Sequence, residues 1–144
     1  MEDILSMINT NLVGTIYTTH EVLKKAMIPA NKGTVLNISS ITGLNAPPFP
    51  GECIYHTTKA AMEGFSNSLR NELCGTDIKV LVLRPGCVAT HFHHQRVRYD
   101  DKQYEDFFEG YTPLIEDDIA NTASQVLSTP LNVSITSIDV VPTG

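Results

Sequence analysis

Tyr55 and Lys59 stand four residues apart in the run Tyr55-His56-Thr57-Thr58-Lys59. On a helix, residues i and i+4 share a face, so a phenol and an ammonium at this spacing project to the same side. A free tyrosine titrates at about 10, and a nearby positive charge favours the phenolate, so the phenol gives up its proton more readily. The spacing alone is a weak signal: with five tyrosines and six lysines in 144 residues, chance produces such a pair in roughly one chain in five. Its setting adds weight. The run Gly33-Thr34-Val35-Leu36-Asn37-Ile38 reads as a strand that delivers Ser39 and Ser40 at its C-terminal end, where open α/β sheets bind ligands.

Two other groups carry candidate chemistry. In His91-x-His93-His94 the alternate histidines would meet on a strand, but no neighbouring carboxylate or cysteine completes a metal site. No metal is expected there, and the histidines read as solvated or substrate-facing. Arg96 and Arg98 offer guanidinium forks suited to bidentate pairing with a substrate carboxylate, set against the plainer reading of solvated surface arginines. His20 and His56 are assigned to structure. Cys53, Cys74 and Cys87 are odd in number and without paired spacing, which fits reduced thiols with structural roles.

These residues need a scaffold, and the chain supplies one in order. Ile4, Ile8, Leu12, Ile16, Leu23 and Met27 follow helical spacing, so residues 1–27 read as an amphipathic helix stopped by Pro29. Gly14 within it points to close packing or a local distortion. The loop 39–50, with Gly43 and Pro47, Pro48 and Pro50, excludes helix. A second helix is expected over 55–74, with Ala60, Ala61, Phe65, Leu69 and Leu73 on one stripe and Gly75 closing it. Ile78-Lys79-Val80-Leu81-Val82-Leu83 is nearly continuous apolar sequence, the mark of a strand covered on both faces, and Arg84-Pro85-Gly86 ends it. Residues 87–112 show poor periodicity and many aromatics, and read as a lobe with one short helix over 102–109. A helix over 116–128, opened by Glu116, Asp117 and Asp118, and a strand over 134–141 complete the chain. Two successive crossovers between apolar strands imply a parallel α/β sheet with helices on both faces, in a single domain spanning residues 1–144.

Composition is that of a globular chain, with 42% hydrophobic and 18% charged residues. A formal charge of −6 and a pI of about 5.2 argue against nucleic-acid or anionic-membrane partners. No segment approaches the length of an apolar membrane span and no basic-then-apolar leader opens the sequence, so a cytoplasmic protein is expected.

With the elements placed, the chain resembles the C-terminal half of a short-chain dehydrogenase/reductase over essentially all 144 residues. Asn11-Leu12-Val13-Gly14, Asn37-Ile38-Ser39-Ser40, Tyr55-His56-Thr57-Thr58-Lys59-Ala60-Ala61 and Arg84-Pro85-Gly86-Cys87-Val88-Ala89-Thr90 resemble four of that family's motifs, in the right order. Arg96-Val97-Arg98-Tyr99, Tyr111-Thr112-Pro113-Leu114 and Pro142-Thr143 are similar to the branch that oxidises serine and other 3-hydroxy acids with NADP.

The resemblance implies a partial Rossmann-like, doubly wound parallel sheet of three remaining strands, with 87–112 as the substrate-binding lobe. It implies a general acid/base at Tyr55, Lys59 lowering its pKa and holding ribose hydroxyls, Ser40 bonding the reacting oxygen, and Asn11 holding a water that links Lys59 to solvent. Pro85, Gly86 and Val88 would shape the nicotinamide pocket and Thr90 would bond the cofactor, NADP or alternatively NAD, opposite a small hydroxy or carbonyl substrate. Ser40 and Tyr55 are fifteen positions apart, about two more than is usual in the family, and Ala46-Pro47-Pro48-Phe49-Pro50 marks the place of the insertion. No Gly-x-x-x-Gly-x-Gly turn occurs in the sequence, so the dinucleotide-binding half of the family fold is absent from these residues and the outer edge of the first strand is expected to be open. In the family, helices matching 1–27 and 55–74 form a dimer interface. The alternative to an active oxidoreductase is therefore a truncated, inactive form that acts as a dimerisation module.

Overall fold

The computed structural model describes residues 1–47, 50–96, 100–110 and 112–143, excepting the side chains at 94–96, 101, 103, 105 and 107. Residues 2–30 form one continuous helix, α1, in which α-helical segments Glu2–Ile8, Gly14–Val22 and Ile28–Ala30 are joined by π-helical turns Asn9–Val13 and Leu23–Met27. The distortion expected at Gly14 is the first of these turns: Gly14 N–H reaches back to Asn9 O. Pro29 is not the stop that the sequence suggested. The second wide turn, closed by Ile28 N–H to Leu23 O, opens the helix just ahead of it. Asn31 ends the helix in the left-handed conformation at φ 45°, and Lys32 N–H closes on Met27 O.

Strand β1 (Gly33–Ile38), helix α2 (Cys53–Glu72), strand β2 (Ile78–Pro85) and strand β3 (Ser137–Val140) build the centre. The strands are parallel in the order β1-β2-β3, with Val35 opposite Val80 and Arg84 opposite Asp139. Among the described residues no strand pairs with the outer edge of β1, the open edge expected from the sequence. β2 runs two residues past Leu83, because β3 offers partners to Arg84 and Pro85. β3 is shorter than the 134–141 span read from the sequence.

Side chains of β2 alternate between two layers. Ile78 and Val80 join Leu23 of α1 and Leu69 and Leu73 at the end of α2 in one cluster, with Met27, Val35 and Phe65 packed against it. On the opposite face Leu81 and Leu83 are buried to 1% and 0% exposure, each worth about 1.5–3 kcal/mol of hydrophobic transfer. Lys79, which shares that face, sends its ammonium to the carbonyls of Thr129, Pro130 and Val133 at 2.9–3.2 Å. These carbonyls follow helix α5 (Glu116–Leu127), whose Val126 is buried. The buried residues of α2 are Thr58, Met62, Glu63, Ser66 and Leu69; of the expected stripe Leu69 and Leu73 are buried, whereas Ala60, Ala61 and Phe65 are half-buried. The stripe shifts because polar side chains with partners occupy it: Ser66 Oγ accepts from Asn37 Nδ2 at 2.8 Å and donates to Met62 O.

Two expectations for the connections are corrected. The loop after β1 contains a short 3₁₀ turn, Ile41–Gly43, capped by Ser40 Oγ accepting from Thr42 N–H, which the prolines further along do not prevent. The lobe holds two short helices, α3 (His91–Arg96) and α4 (Asp101–Phe108), in place of one. The insertion expected at Ala46–Pro50 includes Pro48 and Phe49, which lie outside the described residues. Among the described residues, no helix is long and apolar enough to cross a membrane.

Candidate active site

The C-terminal ends of β1 and β2 and the first turns of α2 converge on a cleft of about 430 Å³. β1 delivers Ser40 in extended backbone at φ −162°, and the 3₁₀ turn then folds back against α2. Gly43 makes that contact possible, since a Cβ there would sit 3.0 Å from Ser39 Oγ and 3.2 Å from Lys59 O. Ser40 is buried, and its Oγ accepts from Thr42 N–H at 3.2 Å and Thr42 Oγ1 at 3.0 Å.

Tyr55 and Lys59 enter from the first turns of α2, and both line the cleft with Ser40. Lys59 Nζ lies 5.7 Å from the centre of the Tyr55 ring, within cation–π range. It donates to Ile38 O at 2.8 Å. Burial pushes the Lys59 ammonium below its ordinary pKa. Beside Lys59, Thr58 is 1% exposed; its hydroxyl donates to Tyr55 O at 2.8 Å and accepts from Asn11 Nδ2 at 3.2 Å. Asn11, expected to hold a water that links Lys59 to solvent, bonds α2 through Thr58 and is not among the residues that line the cleft.

The facing wall is the turn after β2. Pro85, Gly86, Val88 and Thr90 all line the cleft. Gly86 N–H bonds Val140 O at 2.7 Å, and a Cβ there would meet Val141 Cγ1 at 3.2 Å, so the turn runs flush against the end of β3. Val88 bridges to Leu114, with Ala89 N–H to Leu114 O at 2.8 Å and Leu114 N–H to Cys87 O at 3.0 Å. All three cysteines are free thiols. Cys53 and Cys74 are exposed where packing roles were expected, and Cys87 lines the cleft.

The lobe adds Phe92 and His93 to the site. Phe92 sets its ring 5.5 Å from that of Tyr55. His93 is 5% exposed and also lines the cleft, so of the two readings, solvated or substrate-facing, its burial leaves the second. No local pattern marked Phe92, because the fold alone brings it beside Tyr55. Glu116 and Ile119 at the start of α5 complete the wall. Arg96 closes α3 with its side chain outside the description, and Arg98 lies outside the described residues altogether. His56 has the structural role expected, its Nδ1 against Thr42 O, whereas His20 is exposed beside Glu21.

A parallel α/β sheet thus gathers a serine, a tyrosine and a lysine beside the C-terminal ends of its strands, facing a Pro-Gly turn. A profile of the short chain dehydrogenase family matches residues 1–101, and the chain belongs to that family. It is 32% identical over 142 residues to a serine 3-dehydrogenase of Rhizobium radiobacter, covering 99% of this chain and 55% of the relative. An NADP-dependent 3-hydroxy acid dehydrogenase of Salmonella typhi is 36% identical over 143 residues, covering 99% of this chain and 56% of the relative. The closed form of a serine dehydrogenase complexed with NADP+ superposes with a TM-score of 0.87 at 34% identity, over 98% of this chain and 56% of that one. The chain thus spans about half the length of the relatives it matches.

Proposed function

We propose that this chain carries the proton-transfer half of an NADP-dependent oxidoreductase that interconverts a secondary alcohol, serine or another 3-hydroxy acid, with its carbonyl. The observation that carries this reading is the meeting of Ser40, Tyr55 and Lys59 in one cleft opposite Pro85, Gly86, Val88 and Thr90. The residues suit the nicotinamide end of the cofactor: a flush turn with an apolar wall for a flat ring, Lys59 for ribose hydroxyls and Thr90 for the amide or phosphate. NAD would meet the same groups. When bound, the cofactor supplies the hydride acceptor, or in its reduced form the donor.

In oxidation, the Tyr55 phenolate takes the substrate hydroxyl proton; in reduction, the phenol returns it to the carbonyl oxygen. Ser40, whose Oγ already accepts from Thr42, donates its own proton to the reacting oxygen and fixes its place. Lys59 favours the phenolate, and the proton leaves through a water held near Asn11. Arg96 or Arg98 pairs with the substrate carboxylate. A cytoplasmic setting goes with this reading. The test is NADPH fluorescence titration of the purified chain, followed by turnover of serine and unsubstituted 3-hydroxy acids. Saturable binding with Tyr55-dependent turnover supports it; a chain that binds no NADPH refutes it.

The exposed apolar side chains of α1 favour a second reading, a dimerisation module built on 1–27 and 55–74. Leu5 is 54% and Tyr17 69% exposed, and Ile4, Met7 and Ile16 are also open to solvent. Co-elution with a full-length homologue in the absence of NADPH binding supports this reading over the enzyme.

A further inference from the structure

Tyr55, Lys59 and Glu63 stand at i, i+4 and i+8 of α2, on one face of the helix. The first two line the cleft, while Glu63, at 8% exposure, points at the end of β2. There Arg84 Nη1 donates to Glu63 Oε2 at 3.2 Å and Arg84 Nε donates to Asp139 Oδ1 of β3 at 2.5 Å. The next residues along β2 are Pro85 and Gly86, the wall that faces Tyr55. One guanidinium therefore joins the helix that carries Tyr55, the strand that carries the Pro-Gly turn, and the strand whose Val140 carbonyl holds Gly86 N–H.

We propose that the Glu63–Arg84–Asp139 bridge positions the active site, setting the rotation of α2 against the turn 85–88 and so the gap between the Tyr55 phenol and the cofactor wall. This rests on the functional reading above. Glu63 and Arg84 are positioning residues, acting through Tyr55 and Gly86, and neither touches substrate.

The chemistry of the bridge suits that task better than it suits stabilisation. A buried ion pair recovers little more than its desolvation cost, but its fork geometry permits only one relative placement of the groups it joins. Burial by itself would lower the pKa of Arg84, yet the hydrogen bond and charge of Asp139, and those of Glu63, raise it. A lysine at this position would supply a point charge unable to span both carboxylates in the same planar geometry.

The test uses the full chain in three variants, with thermal melting, hydrogen–deuterium exchange and NADPH titration on each. Arg84→Met leaves the Glu63 carboxylate buried without its cation and lowers the melting temperature. Glu63→Leu/Arg84→Met removes both charges and recovers most of that loss. In this double variant the hydrogen-bonded amides of Gly86 and Ala89 exchange roughly tenfold faster than in the parent, while those of Val80 to Leu83 keep their protection. Arg84→Lys, which retains the charge beside Glu63, shows the same loosened turn and serves if the double variant does not fold. Exchange at Gly86 and Ala89 equal to the parent in whichever variant folds overturns the proposal. So does an unchanged NADPH dissociation constant in a variant whose turn is loosened. A parent chain that binds no NADPH removes the functional reading and with it the catalytic meaning of the bridge, while the exchange pattern still reports separately whether the bridge orders the turn.

Discussion

Lys59 Nζ donates to the carbonyl oxygen of Ile38 at 2.8 Å. The ammonium one turn along from Tyr55 is thus fastened to the last residue of β1, directly before the two serines. With Asn37 Nδ2 donating to Ser66 Oγ at 2.8 Å, this bond sets the helix that carries the phenol against the strand that leads to Ser40.

Because burial lowers the Lys59 pKa from its ordinary 10.5, the unfolded chain binds more protons than the folded one between the folded value and 10.5. Stability contributed by this group therefore rises with pH through that window. Lys59→Met should abolish this rise, as read from denaturant midpoints taken from neutral pH upward. An unchanged slope would mean that the desolvation is not felt.

Tyr55→Phe removes the hydroxyl that the proposed function makes the proton carrier and leaves the ring against Phe92, 5.5 Å away. Turnover of a 3-hydroxy acid should fall about a hundredfold to ten-thousandfold, with the melting temperature little changed. Steady-state rates and a melting curve on the same preparation decide it.

Gly43→Ala places a methyl 3.0 Å from Ser39 Oγ and 3.2 Å from the Lys59 carbonyl. Both neighbours belong to packed backbone or a buried side chain, so the 3₁₀ turn must lift from α2 at a cost of about 1–3 kcal/mol. Urea denaturation measures the loss, and Ser40 should move out of register with Tyr55.

Thr58→Val keeps the shape of a 1% exposed side chain but strips the acceptor from Asn11 Nδ2. A loss of about 1–3 kcal/mol follows from the orphaned amide. Asn11→Ala combined with Thr58→Val should cost less than the two separate losses added together, which a double-mutant cycle resolves.

Much of the scaffold was legible because its causes are local. The continuous apolar run 78–83 could only be a strand covered on both sides, and its Leu81 and Leu83 are among the most buried residues described. The Gly14 distortion was legible for the same reason, since a helix-weakening residue acts on its own turn. The stop at Pro29 was misread because the π-helical turn Leu23–Met27 just ahead of it changes what a proline costs. The role given to Asn11 was legible only in part. Its motif singled the residue out, whereas its bond to Thr58 depends on how two distant helices cross.

The sequence by itself determined which residues are chemically equipped, because an i, i+4 phenol and ammonium share a helix face wherever that helix is placed. It determined the parallel α/β class as well, through hydrophobic runs of strand and helix period. Only the tertiary structure decided that Phe92 sets its ring beside Tyr55 with His93 in the same cleft, and that Glu63, Arg84 and Asp139 meet across three elements. Such meetings depend on the register between strands and the rotation of a helix against them, which arise from the packing of the whole core rather than from the order of residues at any one place.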